Sequence, residues 1–313
     1  MLKDDAMNGK ISLAVTLAFI IALSSFIPFY EEYRVLNVWE INNDPFFQKI
    51  SQIENEKLFI IGGSAVGQLN STYINKIISD KFSNYTVYNL AYNADIPTQR
   101  LNSLESTIFT NPKIVFYGIS YWSLSDYYNI GNSNDPLQSL FKNNFEINPK
   151  ATTLNAFRTI LGNNTELFSS EKYVSETTPF FPYSEDQMKI NEQSKLYLDI
   201  EITIKKAHQN PSNSEQLIAL QDTIEILQKN KIKVVIFTVP LHQSYLDVIP
   251  KNDKIIFNET LENLSQKYGV NIYNFTNSYS NQNIWKDSYH VALNQNSLVY
   301  TEDIVQMIIE ESP

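Results

Sequence analysis

The sequence predicts a doubly wound α/β fold of three layers, α/β/α, around a five-stranded parallel sheet. Three observations predict it. Five short apolar or β-rich segments alternate with stretches of helical periodicity, which is the rhythm of strand–helix–strand crossovers. Such crossovers are right-handed and pair their strands in parallel. A chain of 313 residues with 43% apolar and 13% aromatic side chains can also bury the core that three layers require.

The elements begin at the N-terminus with Ile11–Tyr30, ISLAVTLAFIIALSSFIPFY, which carries no charge. A helix of that length, at about 1.5 Å per residue, spans the roughly 30 Å hydrocarbon core of a bilayer. Lys3 and Lys10 precede the run and Glu31 and Glu32 follow it, although Asp4 and Asp5 dilute the asymmetry. The positive-inside tendency then sets residues 1–10 in the cytoplasm, 11–30 as a single-pass anchor, and the remainder outside. A cleaved signal peptide is the alternative, with Ala22-Leu23-Ser24 as its cleavage site, but the apolar run is longer than a usual signal core and continues past that point. Both readings export the rest of the chain.

Residues 31–56 form a polar connector with a weak helical pattern over Asn43–Ile53, which holds the domain of residues 57–313 off the membrane. Lys57–Ile61 (KLFII) reads as a buried strand. Ala65–Asp80 follows as a helix, with Val66, Leu69, Tyr73, Ile77 and Ile78 mostly three or four residues apart. Tyr85–Ala91 is the second strand, Pro97–Phe109 the second helix, and Lys113–Ile119 the third strand, introduced by Asn111-Pro112.

The rhythm then stops. Residues 120–211 are polar and rich in Tyr, Phe and Asn, with a helical patch at Thr153–Leu161 and a turn-prone run, TTPFFPYSED, at Thr177–Asp186; this stretch reads as an insertion. The alternation resumes with a helix over Ser214–Lys229, the strand Lys233–Val239, a helix over Asp253–Tyr268 and the strand Val270–Phe275. A last helix, Ser297–Glu311, turns Leu298, Ile304, Val305, Ile308 and Ile309 inward. Five strands in this pattern suit the flavodoxin-like order 2-1-3-4-5.

Composition excludes several function classes. A net charge of -10 and a pI near 4.9 leave no basic face to neutralise a phosphate backbone, so nucleic acid is not an expected partner. Without cysteine there are no disulfides, thiolate metal sites or thiol nucleophiles. Imidazole chemistry has three candidates, His208, His242 and His290.

In a sheet of this order ligands bind beyond the carboxyl ends of the strands, at the switch point between the first and third. Ser64 follows the first strand, and Ser120 and Tyr121 follow the third. Asp287 and His290, in WKDSYHVALN, return to the same rim before the last helix. A serine hydroxyl becomes a nucleophile when an imidazole takes its proton, and the imidazole needs an acceptor on its other nitrogen to fix the tautomer. An Asp three residues before a His supplies both parts. The glycines before Ser64 allow a sharp turn, and a helix starting there points unpaired amides at the position of an oxyanion. Taken alone, Ser64 reads first as a helix cap, and Asp287 and His290 as a surface pair or half a metal site lacking further ligands.

Gly62-Gly63-Ser64, the NLAYNADIP block at Asn89–Pro97 and Asp287-Ser288-Tyr289-His290 together resemble the SGNH, or GDSL, hydrolase superfamily, in particular its membrane-anchored extracytoplasmic esterase and O-acyltransferase branches. The resemblance covers residues 57–119 and 231–310 and leaves the insertion outside. It implies Ser64 as nucleophile, His290 as base and Asp287 as its orienting acid, without a cofactor or a metal. It implies an oxyanion hole made by Ser64, Ala94 and Ser120. Gly63 stands where the family has Asp, Ala94 where it has Gly, and Ser120 where it has Asn.

The expected function is therefore a membrane-anchored extracytoplasmic serine esterase or O-acyltransferase, working through an acyl-serine on acyl groups, acetyl in the first instance, of cell-surface glycans. The alternative is a catalytically inactive surface or assembly protein that keeps the fold. Tyr121, Trp122 and His242 are candidate substrate contacts. His242 is also readable as a rival base or a loop-bonded residue, and the insertion's aromatics, Phe180, Phe181 and Tyr183 among them, as a cleft wall or as ordinary packing.

Overall fold

The computed structural model of the chain describes residues 45–92, 95–124, 173–183 and 214–312. The span Ile11–Tyr30, the start of the connector, Ala94, the patch Thr153–Leu161 and most of the insertion lie outside these residues. Among the described residues no helix is long and apolar enough to cross a membrane.

In chain order the elements are α1 (Pro45–Ser51), β1 (Glu56–Gly62), α2 (Ser64–Gly67), α3 (Ser71–Lys81), β2 (Tyr85–Asn89), α4 (Pro97–Asn102), α5 (Leu104–Phe109) and β3 (Ile114–Ile119). After a 3-10 turn at Tyr121–Leu124 come β4 (Tyr173–Ser175) and β5 (Thr178–Tyr183). The chain continues with α6 (Glu215–Lys229), β6 (Lys233–Thr238), α7 (Gln243–Val248), α8 (Lys251–Tyr268), β7 (Asn271–Asn274) and α9 (Leu298–Glu311).

The main sheet has the order β2-β1-β3-β6-β7 with every neighbour parallel, which is the expected 2-1-3-4-5 arrangement. Helices cover both faces, so strands are buried on both sides and read as continuous apolar runs. On β1, Leu58 and Ile60 join the core on one face, beneath α3 and α9, while Phe59 and Ile61 join the core on the other, with α1, α6 and α8.

Two long helices of the sequence reading are each broken in two. The helix expected over residues 65–80 ends at Gly67 and restarts at Ser71, because the Asn70 side chain accepts the Tyr73 amide and caps a new start. The helix expected over 97–109 breaks at Ser103, whose hydroxyl returns to Arg100 O at 3.0 Å. The connector's last turn belongs to the domain: α1 buries Phe47 and Ile50 against the sheet.

The insertion contributes an antiparallel hairpin, β4–β5, which the run TTPFFPYSED was expected to form only as turns. A two-stranded hairpin leaves edge positions where a proline lacks no ladder partner, so Pro179 and Pro182 are tolerated. The hairpin lies along the outer strand β2, where Asn89 N donates to Thr177 O at 2.7 Å. Further along that edge the Asn75 side chain binds both sides of one residue: its Nδ2 donates to Val87 O at 2.6 Å and its Oδ1 accepts from Val87 N at 2.7 Å.

Candidate active site

Gly62 ends β1 with φ +144, a conformation that L side chains rarely adopt. It pairs in register with Gly118 of β3. A Cβ at residue 62 would stand 2.5 Å from Gly118 O and 2.7 Å from Val66 Cγ2. The two glycines therefore let α2 settle directly on the carboxyl ends of β1 and β3. Gly63 is the N-cap of α2 and Ser64 its first residue, so the Ser64 hydroxyl is not the cap. Val66 N and Gly67 N close the first turn onto Gly63 O at 2.9 and 3.2 Å, and the Ser64 and Ala65 amides precede any intrahelical bond.

The second half of the site is a tight loop before α9. Lys286 N and Asp287 N donate to His290 O at 2.9 and 3.3 Å, and Trp285 and Val291 form an antiparallel bridge. Trp285 is buried and anchors the loop by donating from Nε1 to Tyr279 O at 3.1 Å. Within the loop Asp287 Oδ1 accepts the amides of Tyr289 and His290 at 3.0 and 2.8 Å, which aims Oδ2 at the imidazole.

The two halves meet. His290 Nδ1 lies 2.7 Å from Asp287 Oδ2, and His290 Nε2 lies 2.7 Å from Ser64 Oγ. The side chains of His290 and Asp287 are 12% and 20% exposed, so the relay is shielded but reachable. Burial pushes the Asp287 carboxyl upward, yet its bond to His290, the nearby imidazole and the two loop amides outweigh burial and hold it below its ordinary value. An ionised carboxylate only accepts, so Nδ1 carries the proton of the neutral ring and Nε2 presents its lone pair to the Ser64 hydroxyl. That is the protonation pattern of a Ser-His-Asp relay.

Ser120 follows β3 on the same rim and is held by Ser123: its amide donates to Ser123 Oγ at 3.0 Å and the two hydroxyls lie 3.0 Å apart. One hydroxyl proton serves that pair, which leaves the other for a third acceptor. Tyr121 is not a freely presented contact. Its half-buried ring stacks on Phe257 with centroids 4.1 Å apart, and burial together with Asp253 pushes its phenol up to about 12. The Trp122 side chain, like Ala94, lies outside the described parts of the structure.

His242 is the N-cap of α7, with Nδ1 accepting Ser244 N at 3.1 Å, and its ring packs edge-on against Trp285. Burial lowers its pKa against the opposing pull of Asp247. Of its three readings the loop-bonded one describes Nδ1, while the imidazole at Ser64 is that of His290. The His242 amide also donates to Ser288 O at 3.0 Å, which ties the loop after β6 to the Asp287–His290 loop. Among the described residues no group of three His, Cys, Asp or Glu side chains is arranged to hold an ion.

One feature of the rim escapes sequence reasoning. Asp95 and Arg100 form an ion pair with side chains 0% and 2% exposed, in which both Nε and an Nη of Arg100 reach Asp95 Oδ2. The same guanidinium donates to Leu90 O at 3.1 Å and lies over the Tyr92 ring. Arg100 therefore binds both ends of the loop after β2, the loop that carries Ala94. That loop abuts the serine turn, since a Cβ on Gly63 would lie 3.3 Å from Asp95 O. An acid and a base five residues apart, Asp95 and Arg100, were the available signal.

No protein-family model and no curated protein matches the chain. Among solved structures it is similar to the acetyl xylan esterase AlAXEase, at 11% identity and a TM-score of 0.41 over 82% of this chain and 100% of that one. It is similar to TesA at 10% identity and a TM-score of 0.42, over 82% and 97% of the two chains. It is also similar to an extracellular lipase from Streptomyces rimosus at 9% identity and a TM-score of 0.40, over 80% and 99%.

Proposed function

We propose that the chain is a serine acyl-ester enzyme of SGNH type, with Ser64 as nucleophile, His290 as general base and acid, and Asp287 as the group that orients and stabilises His290. The observation that carries this reading is the continuous hydrogen-bonded relay from Ser64 Oγ through His290 to Asp287, each link at 2.7 Å. As Ser64 Oγ attacks the acyl carbonyl, its proton passes to His290 Nε2. The ester C–O bond then breaks and His290 returns that proton to the leaving alcohol oxygen, leaving an acyl-serine. Water or a sugar hydroxyl attacks the acyl carbon, gives its proton to Nε2, and releases Ser64, which takes the proton back.

The developing oxyanion is assigned to the Ser64 amide and the Ser120 hydroxyl, the latter in place of a side-chain amide; the third donor that the resemblance implies, at Ala94, lies outside the described residues. In other enzymes removal of a single such donor costs about 3 to 4 kcal/mol, so a weakened hole slows this chemistry without abolishing it. The inactive, assembly-type reading predicts that Ser64 and His290 point apart, and their 2.7 Å contact favours the catalytic one.

The finer assignment is an enzyme anchored through Ile11–Tyr30 that hydrolyses or transfers acetyl groups on cell-surface glycans outside the cytoplasm. Its support is the uncharged N-terminal run and the layout the sequence shares with anchored, exported SGNH branches. The test is hydrolysis of p-nitrophenyl acetate by the full chain beside Ser64→Ala, together with fluorophosphonate labelling. Equal rates in the two proteins, or labelling that persists in the variant, would sink the assignment. Transfer is separated from hydrolysis by screening sugar acceptors for capture of the acyl group.

A further inference from the structure

The contact between Ser64 and His290 joins a four-residue helix to a loop 226 residues further along the chain. One helical turn has little stability of its own, so something outside it must set the spacing. The structure assigns that task to Phe181 of the inserted hairpin, which acts as a positioning residue for the two halves of the relay. This inference rests on the catalytic reading of Ser64 and His290.

Phe181 is 6% exposed and touches both halves. On one side its ring lies on the helix of Ser64: a Cβ on Gly67 would stand 2.7 Å from Phe181 Cε1, with two further ring carbons nearer still. On the other side it forms a buried pair with Leu293, three residues beyond His290. The hairpin that carries the ring is fixed by groups that do not touch the relay. The Ser71 hydroxyl bonds Thr177 Oγ1 at 2.8 Å and also Thr178 Oγ1, Asn89 N donates to Thr177 O, and Phe180 packs on Phe46 and Phe47 of α1. The ring is therefore held from behind and bears on the serine helix and the histidine loop together. Residue 67 is glycine because the ring occupies the volume a side chain would need.

The test measures fluorophosphonate labelling rate, kcat and KM on p-nitrophenyl acetate, and Tm, for the full chain and for Ser64→Ala, Phe181→Ala, Phe181→Leu, Gly67→Ala and Gly67→Ala/Phe181→Ala. A displacement near 1 Å at a reacting pair costs on the order of 100-fold, so Phe181→Ala and Gly67→Ala should lower labelling and kcat by roughly 10- to 100-fold with KM moving less than about threefold. Phe181→Leu, which keeps the two carbons nearest Gly67, should stay nearer wild type, and the double variant should be no slower than Phe181→Ala alone, because the atoms that a Cβ at residue 67 would meet are gone. Wild-type labelling and kcat in folded Phe181→Ala, with only Tm reduced, would overturn the inference. If Phe181→Ala does not fold, wild-type labelling and kcat in folded Gly67→Ala overturn it instead. Undiminished labelling of Ser64→Ala is a different outcome, which removes the catalytic reading itself.

Discussion

Replacing Asp287 by Asn exchanges one carboxylate oxygen for an NH2 group and reverses the proton logic of the site. The Asn oxygen can keep the bonds that Oδ1 now accepts from the Tyr289 and His290 amides, so the loop retains its shape. Its NH2 group then faces His290 Nδ1 where Oδ2 now stands, at 2.7 Å. Nδ1 must become the acceptor, the ring proton moves to Nε2, and Nε2 can no longer take the Ser64 proton. Two losses add. A hydrogen bond to a charged group is worth about 1.5 to 3 kcal/mol. Stabilisation of the imidazolium across roughly 4 Å at an effective dielectric near 20 is worth about 4 kcal/mol. At about 1.4 kcal/mol per tenfold, a total of about 5.5 to 7 kcal/mol corresponds to a fall in kcat of about 10,000- to 100,000-fold. The assay is kcat and KM on p-nitrophenyl acetate with Tm measured alongside. The expected result is an unchanged KM, a Tm close to wild type, and no further loss when Asp287→Asn is added to Ser64→Ala, because members of one relay are not additive. An Asp287→Asn rate within tenfold of wild type, with Ser64→Ala inactive, would refute the assigned role of Asp287.

Ser120→Ala removes the hydroxyl assigned to the oxyanion and should lower kcat by about 100-fold at constant KM; a change confined to KM would place Ser120 outside the hole. Arg100→Ala strands the fully buried Asp95 carboxyl and should cost about 3 to 5 kcal/mol in denaturant unfolding, much of it regained when Asp95→Asn is added. Glu311 accepts Lys233 Nζ and Asn271 Nδ2, each at 2.7 Å, and Tyr273 OH at 2.8 Å; burial pushes its carboxyl up, but these partners hold it below its ordinary value. A carboxyl depressed in the folded state stabilises fully above its unfolded pKa of about 4.3 and loses that contribution as pH falls through the folded value. Glu311→Gln should therefore be less stable by about 1 to 2 kcal/mol at pH 7, Lys233 being half exposed, and the difference should shrink in denaturant titrations as pH falls from about 4.3 through the depressed folded value.

The sheet and both segments of the relay were legible in the sequence for one reason: each shows in local pattern. Apolar runs such as KLFII and KVVIFTV mark strands buried on two faces, and their ends fall within one or two residues of the observed ones. Ser64 and Asp287–His290 were placed by chain order on a rim that topology fixes. What the sequence hid was non-local or internal to a helix. The apolar spacing across residues 65–80 continues through Leu69 although Asn70 caps a fresh start there, and periodicity alone does not register the cap. The prolines of TPFFPY signal a turn, whereas the hairpin holds them because it has free edges and docks on β2. Burial of Asp95 and Arg100 depends on neighbours from β3 and α6 that no local window contains.

The two bonds from Asn75 to Val87 have a consequence for the protein as a solute. An outer strand with a free row of amides and carbonyls is a template on which a second sheet can grow, and parallel sheets that fold slowly expose it for longest. Asn75 occupies that template with a side chain that offers the same donor and acceptor as a peptide unit but cannot be extended. The helix thus stands in for a sixth strand and halts the ladder. An alanine at residue 75 would leave the relay untouched and still matter at high concentration, where chains would begin to join edge to edge.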